Sequence, residues 1–201
     1  NCSAGIGVAL SIKDTTRINS NSININFKVI VSNTGSASLS NVILSDSLSK
    51  YLAVPSTYTM VGGSIVNSDS KLVLNPAFNG STVTTLTLPS SALPVGKTDT
   101  ICFKINLVPN SVKTFVNQVY ATGVATVGGS EVSVKDMSNA GTNPTIPGDK
   151  PTSWNLDGSG NGLNPTQTNY IGLAKQLVGI TKATNGTNKY NVEFKFTIKN
   201  F

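Results

Sequence analysis

The chain's 201 residues are 38% hydrophobic and 12% charged, enough for one sizeable core and part of a second, so one or two domains are expected. Charge is sparse and the polar surface falls to Ser, Thr, Asn and Gly, a mix that favours strands and turns over helices. The net charge of +6 does not argue for nucleic acid, because Arg17 is the one arginine and the lysines are spread singly, without the clustered arginines that read phosphates and bases.

Period-two alternation runs along the chain from the N-terminal side. Ile23, Ile25, Phe27, Val29 and Val31 share one face of a strand; Val42 and Leu44, then Val73, then Val83 and Leu86 mark shorter ones. The segment Thr98 to Leu107 puts Ile101, Phe103, Ile105 and Leu107 on one face and Cys102 on the other, and Val119, Ala121, Ala125 and Val127 follow. Turn signals separate them at Asn33-Thr34-Gly35, Val61-Gly62-Gly63, Asn79-Gly80, Pro94-Val95-Gly96 and Gly128-Gly129. The pattern predicts an all-β, immunoglobulin-like Greek-key β-sandwich over residues 1–135. No long amphipathic helix is expected. No apolar run is long enough to span a membrane, and no basic-then-apolar leader opens the chain; a secreted protein would already have lost its signal, so Asn1 reads either as a mature N-terminus or as a cut within a longer chain.

Composition changes after Val134. Residues 136–168 are rich in Pro, Gly and Asn and read as a connector between modules. Beyond it the pattern restarts: Ile171-Gly172-Leu173-Ala174 echoes Ile6-Gly7-Val8-Ala9, and Phe194-Lys195-Phe196-Thr197-Ile198-Lys199-Asn200 echoes Phe27-Lys28-Val29-Ile30-Val31-Ser32-Asn33. The offsets, 171 − 6 = 165 and 194 − 27 = 167, describe an internal repeat. Residues 169–201 are therefore expected to be the first two strands of a next, incomplete repeat, which need a partner because two strands bury too little alone.

Few residues carry chemistry. His is absent, and the nine carboxylates are scattered without an obvious pair, so no catalytic residue is assigned and no enzyme is expected. The loop from Asn155 through Asp157 and Ser159 to Asn161 spaces oxygen-bearing side chains two apart among glycines; with Asp136 and Asp149 it would hold a structural calcium, the one cofactor considered, against a plain Gly/Asn turn. Cys2 and Cys102 are either a disulfide or two inert thiols. Asp46 reads as a turn residue whose carboxylate takes backbone amides. An intramolecular isopeptide bond, which some surface immunoglobulin-like domains build, would draw on Lys13, Asn117 and Asp46; against it, Lys175 of the second copy aligns with Leu10 and not with Lys13. Trp154 reads as a plug packing the connector onto a domain end, or as a sugar-stacking platform.

The run from Val29 through Asn33-Thr34-Gly35-Ser36, followed by Asn41-Val42-Ile43-Leu44-Ser45-Asp46-Ser47-Leu48 and later by Val116 to Gly123, resembles the DUF11-type conserved repeat of bacterial surface proteins over residues 5–135. Asp136-Met137-Ser138-Asn139-Ala140-Gly141-Thr142-Asn143-Pro144 together with Ile171-Gly172-Leu173-Ala174 resembles the junctions of very large Bacteroidetes gliding-motility adhesins of the SprB type. That resemblance implies export by the type IX system, display on the outer surface, and partners among neighbouring repeats, copies of itself and the secretion and anchoring machinery. Asp14-Thr15-Thr16 resembles the short Bacteroidetes O-glycosylation sequon, with Thr15 as acceptor. The function so implied is a non-enzymatic structural or adhesive repeat facing an external surface or glycan, with no nucleic acid and no membrane insertion. A carbohydrate-binding module and a filament subunit assembling by strand donation are the two alternatives.

Overall fold

The computed structural model describes residues 2–146, 148–156, 163–166, 171–182 and 190–200. The chain divides into two compact units, Asn1–Gln167 and Thr168–Phe201.

The first unit is the expected all-β sandwich. β1 (Ile6–Asn19) and β2 (Ser22–Asn33) form a long antiparallel hairpin. A four-residue α1 (Leu48–Tyr51) follows β3 (Ser40–Asp46), and the short β4 (Thr57–Met60) and β5 (Val66–Asn67) both lie on β6 (Thr98–Val108). Next come β7 (Thr114–Asn117), β8 (Val119–Val127), β9 (Ser130–Met137), β10 (Asn139–Ala140), β11 (Thr152–Leu156) and β12 (Leu163–Thr166). One sheet runs β10-β1-β2-β6-β4; the other strands form β3-β8-β9 and β12-β11-β7. A single core draws on both layers. Ile25, Phe27 and Val29 of β2 sit opposite Ile105, Phe103 and Ile101 of β6, and this row packs with Val42 and Leu44 of β3, Phe115 of β7 and Val119 and Ala121 of β8. The alternation works because successive side chains leave opposite faces, so one face fills the core and the other meets water.

Two features depart from the predicted elements. Val73, Val83 and Leu86 do not lie in strands; residues 68–97 are irregular, with the Leu74↔Thr87 bridge closing the segment on itself, and they join β3 through the Ser45↔Thr85 bridge and through the Val42 and Asp46 N–H groups on the Ser91 and Thr84 carbonyls. Buried Asp99 explains how this segment is held. Its carboxylate accepts the N–H groups of Lys71 and Leu72 (both 3.0 Å), Asp69 (3.2 Å) and Thr100 (2.8 Å), with Asn67 Nδ2 at 3.2 Å. Backbone donors that a sheet would have paired are paired with one carboxylate instead.

The second departure is the segment read as a connector, whose described part belongs to the first unit. β9 carries the second layer to Met137, β10 pairs parallel with β1 (Ala9↔Asn139, Leu10↔Ala140), and β11 pairs with β7. The edge of β1 is closed further by Val8 N–H on Asp136 Oδ2 (2.7 Å), Gly141 N–H on the Leu10 carbonyl (2.9 Å) and Thr152 Oγ1 on that same carbonyl (2.6 Å). A Cβ at Gly7 would collide with the Pro144 carbonyl, so the loop passes over the strand only because the residue there is glycine. An open β1 edge would invite other strands; this segment seals it.

The Asn33-Thr34-Gly35 turn has a physical reason. Asn33 is buried, donates through Nδ2 to the carbonyls of Ala37 (2.8 Å) and Leu93 (2.9 Å), and accepts Gly35 N–H at Oδ1 (3.0 Å). At Gly35 a Cβ would lie 2.5 Å from the Ser3 carbonyl oxygen, so the N-terminal segment crosses there only over a glycine. Asn33→Ala should lower stability by about 2–3 kcal/mol, because the Ala37 carbonyl and the Gly35 N–H lose their side-chain partner, although the Leu93 carbonyl keeps the Leu39 N–H; urea denaturation with an unchanged slope is the check.

The second unit is the antiparallel hairpin of β13 (Ile171–Lys182) and β14 (Tyr190–Asn200). No described helix is long and apolar enough to cross a membrane.

Candidate functional site

Two places gather the polar groups that matter: a sealed pair inside the first unit and a cleft at one end of its β1–β2 hairpin. In the core, β3 ends at Asp46 and β7 ends at Asn117, both fully buried. Asn117 Nδ2 donates to Asp46 Oδ2 at 2.8 Å, while Asp46 Oδ1 has no hydrogen-bond partner among the described residues. Burial outweighs the asparagine's bond and pushes the Asp46 carboxyl up to about 7. Partial burial, and to a lesser extent the charge of Asp46, raises the hydroxyls of Tyr51 and Tyr58. The carboxylate therefore takes a side chain rather than the backbone amides that a turn role implied.

Trp154, on β11 opposite Phe115 of β7, is fully buried. Its ring stacks on Phe115 (centroids 5.7 Å apart, 18° between planes) and meets Phe27 edge-on (5.5 Å, 65°). Trp154 therefore belongs to the core itself, and a sealed indole offers no platform to a sugar.

Of the three isopeptide candidates, the structure brings together Asp46 and Asn117 only. Lys13 is exposed on β1, at the register slip between Ile12 and Asp14, and is not part of the buried pair. The cysteines are both free. Cys102 lies opposite Lys28, five residues along β2 from Asn33, whereas Cys2 Sγ lies by the Ser36 carbonyl beyond Asn33. Five residues of strand are already about 16 Å, well past the roughly 7 Å that a disulfide spans between Cα atoms. Thr15 is half-buried within β1 opposite Ile25, and neighbouring Asp14 accepts Asn26 Nδ2 at 2.9 Å.

The calcium candidates divide. Asp157, Ser159 and Asn161 lie outside the described residues. Asp136 gives one oxygen to the Val8 amide; partial burial, and to a lesser extent the charge of Asp149, raises its carboxyl. The Asp149 carbonyl accepts Gln118 Nε2 at 2.9 Å, and Asn155 is exposed on β11 between Thr114 and Asn164. Among the described residues no group of three or more His, Cys, Asp or Glu is placed to hold a metal.

Asp136 also lines a cleft of about 500 Å³ with Ile6, Gly7, Ser32, Thr34 and Pro144. Among the described residues that line it, Asp136 is the one carboxylate, beside hydroxyls and backbone. That lining offers hydrogen bonds to a ligand; it does not offer the paired acids of glycoside hydrolysis. Sequence reading grouped Asn117 with Asp46 only within the isopeptide set, and it missed the role of Asp99, most of whose partners lie dozens of residues away.

No protein-family model and no curated protein matches the chain. Among solved structures it is similar to a GH20 exo-β-N-acetylglucosaminidase from Vibrio harveyi in complex with N-acetylglucosamine (14% identity, TM-score 0.37), over 72% of this chain and 19% of that one. An inactive mutant of that enzyme gives 14% identity and a TM-score of 0.36, over 69% and 18%. The collagen-binding domain from a Staphylococcus aureus adhesin gives 12% identity and a TM-score of 0.28, over 66% and 95%. The chain thus spans under a fifth of the glycosidase chains, and likeness this slight establishes no enzymatic activity.

Proposed function

We propose that the chain is a non-enzymatic structural and adhesive repeat segment of a large secreted surface protein, of the DUF11-like and SprB-like kind that its motifs resemble. The observation that carries the reading is the repetition of one hairpin: β13–β14 pairs in the register of β1–β2, with the slip at the equivalent step. Repeated units that bury a face only with further strands are the building principle of extended surface arrays. The chemistry-bearing pair Asp46–Asn117 is sealed in the core, which suits a scaffold better than a reaction centre. Export and surface display follow from the same resemblance, and neighbouring repeats and the anchoring machinery are the partners.

Antibodies raised against the chain should label intact cells of the source organism, and external protease should remove the label. Labelling that appears only after lysis would overturn the reading. A carbohydrate-binding role is the second reading, favoured by the Asp136 cleft. Glycan binding that is abolished by Asp136→Asn, which keeps an oxygen for the Val8 amide, while the chain stays folded would select it.

A further inference from the structure

The second unit repeats the first hairpin rung by rung. Ile6↔Asn33 corresponds to Ile171↔Asn200, Leu10↔Val29 to Lys175↔Phe196, and Ile12↔Phe27 to Leu177↔Phe194. Both registers then slip, at Lys13 in one hairpin and at Val178 in the other, and resume as Asp14↔Asn26 and Gly179↔Glu193. Gly172 stands where Gly7 admits the loop that seals β1.

What differs is the cover. In the first unit β6 pairs with β2, and Ile23, Ile25, Phe27 and Val29 are at most 4% exposed. Their counterparts Tyr190, Val192, Phe194 and Phe196 are 44–58% exposed, and among the described residues β14 pairs with β13 only. A long, apolar, single-sided strand edge is a template for strand addition. The first unit supplies the pattern of the missing strand. Placed on β14 as it lies on β2, a β6-type strand would set apolar residues beside Tyr190, Val192, Phe194 and Phe196. Its Lys104 position would fall opposite Glu193, since Asn26↔Lys104 in the first unit maps onto that residue.

We propose that the outer edge and apolar face of β14 are the seat of a β6-type strand from another unit of the same repeat, an alternating apolar and polar segment pairing antiparallel in the register that β6 takes on β2. This inference rests on the repeat reading above and adds its partner.

The test appends a second copy of residues 97–108 to the full chain. A Gly/Ser linker of about 15 residues is flexible enough not to dictate register. In a background where Cys2 and Cys102 of the body are serine, the appended strand keeps its native cysteine. The register places that cysteine opposite Lys195, the counterpart of Lys28. Under mild oxidation Lys195→Cys should form the internal disulfide about tenfold faster than Glu193→Cys, because opposed strand positions satisfy disulfide geometry and neighbouring ones do not. Amide exchange along β14 should slow in the same protein. An appended strand with its four apolar positions changed to threonine should lose both effects.

Equal disulfide rates at the two positions, or unchanged β14 exchange, would overturn the proposal. So would sedimentation showing that the parent chain dimerises through β14 and leaves the appended strand idle. A failure here leaves labelling of intact cells unaffected, so the repeat reading and its partner stand or fall separately.

Discussion

Trp154→Ala should lower the unfolding free energy of the first unit by about 3–5 kcal/mol, the range for deleting a large aromatic from a packed core. The indole fills the space between Phe27 and Phe115 and makes no hydrogen bond through Nε1 among the described residues. Those facts also set the outcome for Trp154→Phe, which keeps most of the ring contacts and removes a buried donor that costs about 1–3 kcal/mol when unpaired. That variant should lie within about 1.5 kcal/mol of the parent. Far-UV circular dichroism in urea is the measurement, since Trp154 is the single tryptophan and both variants lose its fluorescence. A loss under 1 kcal/mol for Trp154→Ala, on that same scale, would mean that the Thr152–Leu156 strand does not complete the core.

Asp46 should make the first unit more stable in mild acid than at neutral pH, against the usual trend. Its ordinary value of 3.8 is raised to about 7 in the folded chain. Between those values the folded state holds a proton that the unfolded state has released, so stability falls as pH rises through the window and levels off above it. Three units correspond to about 4 kcal/mol at most, at 1.36 kcal/mol each. Asp46→Asn should remove most of this slope and raise the unfolding midpoint at pH 8, where the parent holds a buried charge. Asp136, raised in the same direction but only partly buried, adds a smaller share of equal sign. Tyr51 and Tyr58 titrate above the window. Thermal unfolding from pH 4 to pH 8 checks this, and an Asp46→Asn profile as steep as the parent's would place the proton elsewhere.

Much of the sandwich was legible in the sequence because strand faces alternate. Ile23 to Val31 and Ile101 to Leu107 announced one buried face each, and the two meet in register across β2 and β6. The second hairpin was legible by simple echo, at offsets of 165 and 167 residues. The limit of the first unit was not. Residues 136–156 carry no periodicity, yet they contribute one buried indole, a two-residue parallel bridge and a carboxylate on the Val8 amide. Composition rich in Gly, Pro and Asn marks irregular backbone and is silent on whether that backbone covers an edge or leaves the domain. Nor does Val83 differ from a strand valine until Asp99 is seen to hold the segment before it.

By itself, then, the sequence determined the all-β class, the faces of the long strands and the repeated hairpin, since these follow from local alternation and self-similarity. Only the tertiary structure decided that Asn117 meets Asp46 across 71 positions, that Trp154 belongs to the core, and that Lys13 stays in water. Such pairings are set by which strands become neighbours when two sheets close on each other, and no window of adjacent residues contains that choice.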